Sequence, residues 1–399
     1  MVTIIDIEKA HERISDFIFK TPCIFSEDLS RSTNASVFLK LDNMQRTGSF
    51  KERGALNRLL LLDEQEKSKG VVTASAGNHG QAVAYHASRL KIPVQVFMPL
   101  NSPAIKISRT ENYGAKVHLI GDSYDDAHQA AQHFSQVSGA FYLHAYNDAA
   151  VIAGQGTLAL EIKEQLPKVD TVIVPVGGGG LIAGVAVALA VTSPKTQLIG
   201  VEPSVMPSMA NAIAANGPIR LPIADTIADG VRVRLVGNLT YAICSKVVQK
   251  WVSVDDDQIA RAILFLLEQQ KTIAEGAGAV GVAALLGGQI APLKNSCICV
   301  LVGGGNIDVH TLARVIERGM VESGRLVRLA VKIKDLPGEL HSLLETVSCA
   351  HANVIEVRHE RAFAHTLWSD VEVNLVLETR GRNHVAEILS LMRAKGYVV

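Results

Sequence analysis

Short, apolar, β-branched segments alternate with longer segments of helical periodicity along most of the chain. The strand-like segments are residues 36–41, 70–74, 94–98, 115–120, 171–176, 197–201 and 296–302. The helical segments are residues 4–19, 50–62, 78–90, 104–113, 123–137, 150–165, 181–191, 255–270, 277–286 and 308–322. Alternation of this kind predicts an α/β fold, with a parallel sheet covered by helices on both faces. Active sites of such folds lie at the carboxyl ends of the strands.

Composition narrows the classes of protein that need to be considered. The chain has 399 residues and is 48% hydrophobic, which suffices for two or three domains with a large core. Lys plus Arg and Asp plus Glu both number 39, and this balance argues against nucleic acid or an anionic membrane as partner. The five cysteines have no metal-ligand or disulfide spacing, and no signal peptide or membrane span is recognisable. We therefore expect a cytoplasmic protein.

The stretch from Thr47 to Gly54, with the sequence Thr-Gly-Ser-Phe-Lys-Glu-Arg-Gly, follows a predicted strand and places a lysine among small residues. Lys51 could be presented there to an aldehyde, provided that burial or nearby cations lower the pKa of its amine. Phe50 offers a flat apolar neighbour. The alternative is a solvated lysine near a helix N-terminus, with Ser49 as the N-cap.

A second glycine-rich stretch follows the strand-like segment 171–176, where Gly177, Gly178, Gly179 and Gly180 are followed by Leu181. Unshielded backbone N–H groups at a helix start can hold a dianionic phosphate. The stretch lacks both the Gly-x-Gly-x-x-Gly dinucleotide pattern and the Gly-Lys-Ser/Thr nucleotide pattern. The alternative is a tight turn that packs a helix on a sheet.

Two further polar or glycine-rich turns follow strand-like segments. Residues 73–81 present hydroxyl, amide and backbone N–H groups at a helix start, which suits a substrate carboxylate and leaves Asn78 free to bind a cofactor hydroxyl. His79 alone would more often be a hydrogen-bonded structural histidine. The third turn, which contains Gly303, could by itself be only a turn.

These motifs carry a resemblance to a known family. Residues 49–54, 75–81 and 177–181 occur in the order and spacing found in the pyridoxal-phosphate-dependent threonine and serine dehydratases, and the resemblance covers residues 7–320. Residues 152–157, 226–231 and 274–279 match as well. The resemblance implies a tryptophan-synthase-β-like fold of type II. It implies a two-lobed catalytic region over residues 1–322, with a smaller lobe at 50–145 inserted in the larger one.

The resemblance also implies the chemistry. Lys51 would bind pyridoxal 5'-phosphate covalently and then serve as the base at the substrate α-carbon, while the cofactor phosphate would protonate the leaving hydroxyl. The implied cofactor-binding residues are Phe50, Lys51, Asn78, Gly177, Gly178, Gly179, Gly180, Leu181 and Gly303; the implied substrate-binding residues are Ser75, Ala76, Gly77, Asn78 and His79. The substrate would be a small β-hydroxy amino acid. Threonine would give 2-oxobutanoate and ammonia, and serine would give pyruvate.

This chain departs at three places from the family that it resembles. Many relatives place serine or cysteine against the pyridine nitrogen, where this chain has Gly303, so no side chain of that residue, and no carboxylate there, can contact the nitrogen. Ala76 replaces the serine that serine racemases use as the opposite-face acid or base. After Glu202 the aspartate of the racemases' divalent-cation site is missing, with Ser208 nearby, and we expect no metal.

Residues 325–399 form a separate pattern of strand, helix, strand, strand, helix and strand, typical of a ferredoxin-like module. The stretch 335–340, with a proline and a glycine between strand and helix, resembles ACT domains, which bind amino acids at paired interfaces. This resemblance implies regulation by a small amino acid in a homodimer or homotetramer. Isoleucine or valine would be natural effectors if the product feeds isoleucine biosynthesis. The alternative is a dimerisation module that binds no effector.

Other functions remain open at this point. A serine dehydratase, a 3-hydroxyaspartate dehydratase or a racemase would use the same cofactor. A nicotinamide-dependent dehydrogenase would explain the alternating strands and helices, but the dinucleotide fingerprint is missing from the sequence. A non-catalytic amino-acid sensor would explain the C-terminal module but not Lys51 and Asn78.

Overall fold

The computed structural model describes residues 2–361 and 369–399. The chain divides into two compact units, one that extends to Asp308 and one that comprises Val309–Val399. The helix at residues 309–322 belongs to the second unit by this division. The expected boundary between residues 322 and 325 stays a prediction.

The strands among the described residues are, in chain order, β1 (Cys23–Phe25), β2 (Ser36–Lys40), β3 (Val71–Ala74), β4 (Val94–Met98), β5 (Lys116–Leu119), β6 (Phe141–Tyr142), β7 (Thr171–Pro175), β8 (Gln197–Pro203), β9 (Lys250–Val254), β10 (Cys297–Leu301), β11 (Leu326–Lys334), β12 (Asn353–Glu360) and β13 (Asp370–Glu378). The α-helices are α1 (Ile4–Ile14), α2 (Glu27–Thr33), α3 (Lys51–Leu60), α4 (Glu64–Lys69), α5 (Asn78–Arg89), α6 (Ala104–Asn112), α7 (Tyr124–Ser138), α8 (Ala149–Gln165), α9 (Gly180–Thr192), α10 (Ser208–Ala214), α11 (Asn238–Val247), α12 (Asp256–Glu268), α13 (Gly276–Leu286), α14 (Val309–Glu322), α15 (Glu339–Cys349) and α16 (Arg382–Ala394).

The larger lobe of the first unit is built on a sheet with the strand order β1-β2-β10-β7-β8-β9. All neighbouring pairs except β1 with β2 are parallel. The central strands are apolar along their length because helices cover both faces of the sheet. Since β2, β10 and β7 are parallel neighbours, the loops that follow them leave the sheet at the same edge.

The smaller lobe is built on a second parallel sheet, with the order β5-β4-β3-β6. Its core packs residues of α3 and α5 against this sheet, including Ala55, Leu59, Val83 and Val96. Strand β3 ends at Ala74, directly before the polar turn and α5. The predicted α/β class and the two-lobed architecture are therefore correct.

The second unit has the order β11-α15-β12-β13-α16, with an antiparallel sheet β11-β13-β12. Its core includes Val331, Leu343, Leu375 and Met392, from both the sheet and the two helices. This is the ferredoxin-like arrangement expected from the sequence. The predicted last strand at 397–399 is reduced to an isolated bridge between Lys332 and Val398.

Some predicted bounds were wrong. Helix α1 ends at Ile14 rather than at residue 19, because the chain turns after the C-cap Ser15.

No helix in residues 2–361 or 369–399 is long and apolar enough to cross a membrane. The five cysteines are free thiols.

Candidate active site

Lys51 begins helix α3 and is partly buried. Its Nζ donates a hydrogen bond to the carbonyl oxygen of Ala145 at 3.2 Å and lies 5.1 Å from the centre of the Phe50 ring. Burial lowers the pKa of Lys51 to about 8, although the carboxylate of Glu275 opposes the shift. A larger fraction of the amine is therefore unprotonated near neutral pH, and the unprotonated amine is the nucleophile. The solvated-lysine alternative does not hold, because Phe50 occupies the N-cap position and the Ser49 hydroxyl is buried.

The tetraglycine turn joins β7 to α9 at the same edge of the sheet. Among the described residues, the backbone N–H groups of residues 177–182 meet no hydrogen-bond acceptor. Gly179 has a φ of 90°, a conformation that favours glycine. The carbonyl oxygen of Gly178 accepts a hydrogen bond from Oγ1 of Thr240 at 2.7 Å. Unpaired N–H groups at the start of a helix form an anion site that suits a phosphate.

The turn after β3 offers a second set of unpaired N–H groups, at the start of α5. The N–H of Gly77 donates to Oγ of Ser75 at 3.2 Å, whereas those of Ala76, Asn78 and His79 meet no acceptor in the described parts of the chain. A Cβ atom built on Gly77 would have no other atom within 4 Å, so there is open space beside the turn. This geometry fits a bound carboxylate.

The His79 side chain is buried. Its Nε2 lies 3.2 Å from the carbonyl oxygen of Leu143, and its Nδ1 has no partner among the residues described. Burial, with a contribution from Lys51, lowers the pKa of His79 to about 3. The imidazole is therefore neutral at physiological pH, as expected of a structural histidine.

Two consecutive residues connect Lys51 with the tetraglycine turn. Ala145 accepts the hydrogen bond from the lysine amine, and the ring of Tyr146 lies against Gly178. A Cβ atom built on Gly178 would lie only 2.4 Å from Cδ1 of that ring. The Tyr146 hydroxyl donates to the carbonyl oxygen of Leu235 at 2.9 Å. The structure therefore brings together the lysine and the phosphate turn that the sequence places far apart.

Asn78 belongs to a polar network that also includes Glu275 and Asn306. Its Nδ2 donates to Oε1 of Glu275 at 2.6 Å, and its Oδ1 accepts from Nδ2 of Asn306 at 2.8 Å. Asn306 also donates to the carbonyl oxygen of Thr47 at 2.6 Å. Burial raises the pKa of Glu275 to about 7, and the carboxylate of Asp229 adds to the shift. The network holds Asn78 close to the stretch that contains Lys51.

The third glycine turn, at the end of β10, completes the site. The carbonyl oxygen of Gly303 accepts a hydrogen bond from the N–H of Phe50 at 3.0 Å, and a Cβ atom there would lie 3.1 Å from the Phe50 ring. A Cβ atom on Gly304 would lie 2.2 Å from Oε1 of Glu275. A carboxyl group therefore does lie beside this turn, but it belongs to Glu275 and not to residue 303.

A buried cluster of four charged side chains fixes the first turn of α3. Arg53 donates to both carboxylate oxygens of Asp42, at 2.7 and 2.8 Å, and to Glu161 at 2.6 Å. Lys40 donates to the other oxygen of Glu161 at 2.6 Å. The formal charges of the four groups sum to zero, and each group is paired, as burial requires. Since Arg53 lies two residues after Lys51 in the same helical turn, the cluster also fixes the position of Lys51.

These residues fit a pyridoxal phosphate. The site offers an amine with a lowered pKa, an aromatic ring beside it and a run of unpaired N–H groups for a phosphate. The residues that would hold the group are Lys51, Phe50, Asn78, Gly303 and the turn of residues 177–181. Fold and site together define a two-lobed α/β enzyme that binds a phosphorylated aldehyde through a lysine.

Comparison with known proteins assigns the family. Residues 14–303 match the family model described as pyridoxal-phosphate dependent enzyme. The chain is 44% identical, over 100% of its length and 99% of the relative's, to an L-threonine ammonia-lyase of Thermotoga maritima. The chain belongs to the pyridoxal-phosphate dependent enzyme family, and its cofactor is pyridoxal phosphate.

Two solved structures resemble about four fifths of the chain. One is the processed form of threonine deaminase isoform 2 from Solanum lycopersicum, with 38% identity and a TM-score of 0.76, covering 79% of this chain and 91% of that one. The other is maize serine racemase, with 35% identity and a TM-score of 0.76, covering 80% of this chain and 98% of that one. These likenesses agree with the expected tryptophan-synthase-β-like fold, and the enzyme is a lyase of this family.

Four residues of the site were not predicted from the sequence. Glu275 lies within a stretch that matched the family, but the sequence assigned it no role. Asn306 directly follows the third glycine turn, and a polar residue in that position was the available signal. Ala145 and Tyr146 carry no local signal, because their contacts with Lys51 and Gly178 arise only when the two lobes are in place.

Proposed function

We propose that the enzyme converts L-threonine into 2-oxobutanoate and ammonia, and L-serine into pyruvate and ammonia. The relative from Thermotoga maritima, which aligns along the whole chain, is named an L-threonine ammonia-lyase. The observation that carries the proposal is the contact pair at Ala145 and Tyr146, which sets the Lys51 amine beside the tetraglycine turn.

The predicted site residues other than Gly303 each take a role in this proposal. Pyridoxal phosphate, when bound, supplies an electron sink that acidifies the α-proton of an amino acid. The Lys51 amine first holds the cofactor and, once the substrate amine has displaced it, takes the α-proton at Nζ. Its lowered pKa leaves the amine ready to accept that proton near neutral pH.

The remaining residues bind and orient. The N–H groups of Gly177, Gly178, Gly179, Gly180 and Leu181 hold the phosphate, and Phe50 packs beside the ring. Asn78 has a second amide hydrogen for a cofactor oxygen, since the first is donated to Glu275. The turn from Ser75 through Ala76 and Gly77 to His79 holds the substrate carboxylate, next to open space at Gly77.

A racemase that uses the same cofactor is the second candidate. It is favoured by the likeness to maize serine racemase. Racemisation requires a second proton donor on the opposite face of the substrate, and Ala76 supplies no titratable group. We therefore place elimination first, with serine and 3-hydroxyaspartate as the competing substrates.

Steady-state rates on threonine, serine and 3-hydroxyaspartate, together with the chirality of the recovered substrate, test this function. We expect the highest kcat/KM on L-threonine, 2-oxobutanoate as the product and no D-amino acid. The purified protein should be yellow, and its visible absorbance band should disappear on borohydride treatment and be absent in Lys51→Ala. A colourless protein that does not respond to added pyridoxal phosphate would refute the proposal.

We further propose that residues 1–322 form the catalytic region, with the smaller lobe at about 50–145, and that residues 325–399 form an ACT-type regulatory domain. The order β11-α15-β12-β13-α16 supports this domain type. Isoleucine or valine would bind there in a homodimer or homotetramer. Kinetics with a panel of amino acids tests the regulation, and light scattering of the full chain with each amino acid tests the oligomeric state. Kinetics that no amino acid changes would contradict regulation.

We also propose a cytoplasmic location for the enzyme. The thiols of all five cysteines are free, which is typical of proteins in a reducing compartment. Fractionation of cells that produce the full chain, with detection by antibody, tests this location. Recovery outside the cytoplasmic fraction would contradict it.

A further inference from the structure

The turn of residues 144–147 joins the two lobes of the active site. It follows β6 of the smaller sheet and precedes α8. Ala145 accepts the hydrogen bond of Lys51, and the Tyr146 ring lies against Gly178. Oδ1 of Asn147 accepts from the N–H of Leu239 at the start of α11, at 3.0 Å. The conformation of this turn therefore decides where the lysine amine and the phosphate turn meet.

The imidazole of His144 lies inside the turn and accepts two backbone hydrogen bonds. Nδ1 is 3.2 Å from the N–H nitrogen of Tyr146 and 3.0 Å from that of Asn147. A ring nitrogen that accepts two N–H groups carries no proton, so the proton of the neutral ring is on Nε2. Burial, with His128 and Lys51 nearby, lowers the pKa of His144 to about 4 and keeps the ring neutral.

We propose that His144 is a positioning residue whose Nδ1 holds the turn in the shape that presents the Ala145 carbonyl to Lys51 and the Tyr146 ring to the tetraglycine turn. It acts through its neighbours and does not itself touch the reacting atoms. The inference rests on the proposed function and adds to it a residue that orients both the amine and the phosphate site.

The chemistry of the contact predicts which side chain can replace this histidine. A side-chain acceptor that bonds the N–H groups two and three residues further along is the arrangement that asparagine makes in turns. Nδ1 of histidine and Oδ1 of asparagine are both attached to Cγ, so His144→Asn keeps an acceptor at the same place. The oxygen of a glutamine lies one bond further out, where histidine has Nε2. His144→Gln therefore removes the acceptor from the turn but keeps a polar side chain of similar size.

A row of aromatic rings beside His144 offers this residue an alternative role, in proton transfer. The His144 ring centre is 4.6 Å from that of Tyr146 and 6.1 Å from that of His128, and in this alternative a proton passes along the row through Nε2. Asparagine cannot carry out that acid–base chemistry. His128→Gln provides a control, because Nδ1 of His128 lies 2.6 Å from the Tyr142 hydroxyl and not at the turn.

The experiment compares the wild-type protein with H144N, H144Q and H128Q. Each full-length protein is freed of cofactor and titrated with pyridoxal phosphate over a range of pH. Three quantities are measured: the rate of covalent attachment, detected by borohydride fixation; the pH at which the rate is half-maximal; and the melting temperature without cofactor. Lys51→Ala defines the background.

We expect H144N and H128Q to attach the cofactor within about twofold of the wild-type rate, with the same pH midpoint. H144Q should be about tenfold slower or worse, because two hydrogen bonds in the turn are lost. Its pH midpoint should rise towards that of an ordinary lysine, because the displaced turn leaves the Lys51 amine more hydrated.

Other outcomes overturn the inference. If H144Q attaches the cofactor faster than H144N, the atom that matters is Nε2. If both variants are slow, or if neither variant is slow, the Nδ1 acceptor has no special role. An H128Q protein as slow as H144Q would point to the ring row. If H144Q does not fold, H144N decides alone by its rate. A wild-type protein that attaches no cofactor would instead refute the proposed function.

Discussion

Asn78 and Glu275 lie on different lobes and are joined by a hydrogen bond of 2.6 Å from Nδ2 to Oε1. Asn78 begins α5 of the smaller lobe, and Glu275 precedes α13 of the larger one. The same carboxylate acts electrostatically on Lys51 and raises its pKa against the effect of burial. Glu275 therefore links the orientation of Asn78 to the protonation of the lysine.

Replacing the carboxylate by an amide separates these two effects. In Glu275→Gln the oxygen that accepts from Asn78 remains, but the negative charge that favours protonated Lys51 is lost. We expect the pH midpoint for covalent cofactor attachment to fall below the wild-type value, with the melting temperature maintained or raised, since a buried ionisable group has been removed. A midpoint that stays the same or rises would contradict the electrostatic link.

The pKa of Lys51 itself predicts a pH dependence. The folded protein releases the lysine proton near pH 8, whereas the unfolded chain retains it to about 10.5. Attachment of pyridoxal phosphate to the cofactor-free enzyme should therefore increase with pH and reach half its maximum near pH 8. Stopped-flow absorbance over a pH series measures this rate, and a midpoint near that of an ordinary lysine would contradict the assignment.

The same shift has a consequence for stability. Between pH 8 and 10.5 the unfolded chain binds more protons at this position than the folded protein, so the contribution of Lys51 to the free energy of unfolding rises with pH. Lys51→Met lacks the group and should lose this increase. Urea unfolding of both cofactor-free proteins at the two ends of the range tests the sign, and parallel pH profiles would contradict it.

The sequence predicted the architecture where segments are long and regular. Strands such as β4 and β10 and helices such as α5 and α8 lie within one or two residues of their expected bounds. The elements β1, β6, β9, α2, α4, α10 and α11 were missed, and most of them are short. A strand of two residues such as β6 has no periodicity to detect, and it exists only because Phe141 and Tyr142 pair with β3.

In the candidate site, too, the features that were predicted are those that the local sequence marks. Turns that hold Lys51, Ser75 and Gly177 could be found because backbone geometry and residue type mark them locally. Glu275 and His144 could not be assigned roles, because each acts on a residue far along the chain or on the backbone of its own turn. Their roles become visible only from the contacts with Asn78 and Tyr146.

Close packing at the phosphate turn predicts the effect of a single methyl group. In Gly178→Ala the new Cβ atom would lie 2.4 Å from the Tyr146 ring, so the ring or the turn must move. Overpacking of this kind costs about 1–3 kcal/mol, and we expect a comparable loss of cofactor affinity. Gly217→Ala is the control, because its Cβ atom would meet nothing within 4 Å. Equal affinities of the two variants in a pyridoxal phosphate titration would contradict this picture.

Removing one charge from the buried cluster of Lys40, Asp42, Arg53 and Glu161 should lower the stability of the protein strongly. In Glu161→Gln the cluster keeps Lys40, Arg53 and Asp42 and so acquires a net positive charge. Breaking a buried ion pair from one side costs about 3–5 kcal/mol. Glu164 lies one turn further along the same helix and pairs with Lys20 at 2.5 Å on the surface, where solvent screens the pair and Glu164→Gln should change the stability much less. Urea unfolding of the two variants measures both free energies of unfolding. The cofactor attachment rate should fall only in Glu161→Gln, because Arg53 then positions the first turn of α3 less firmly. Equal stabilities would mean that the cluster does not hold Lys51 in place.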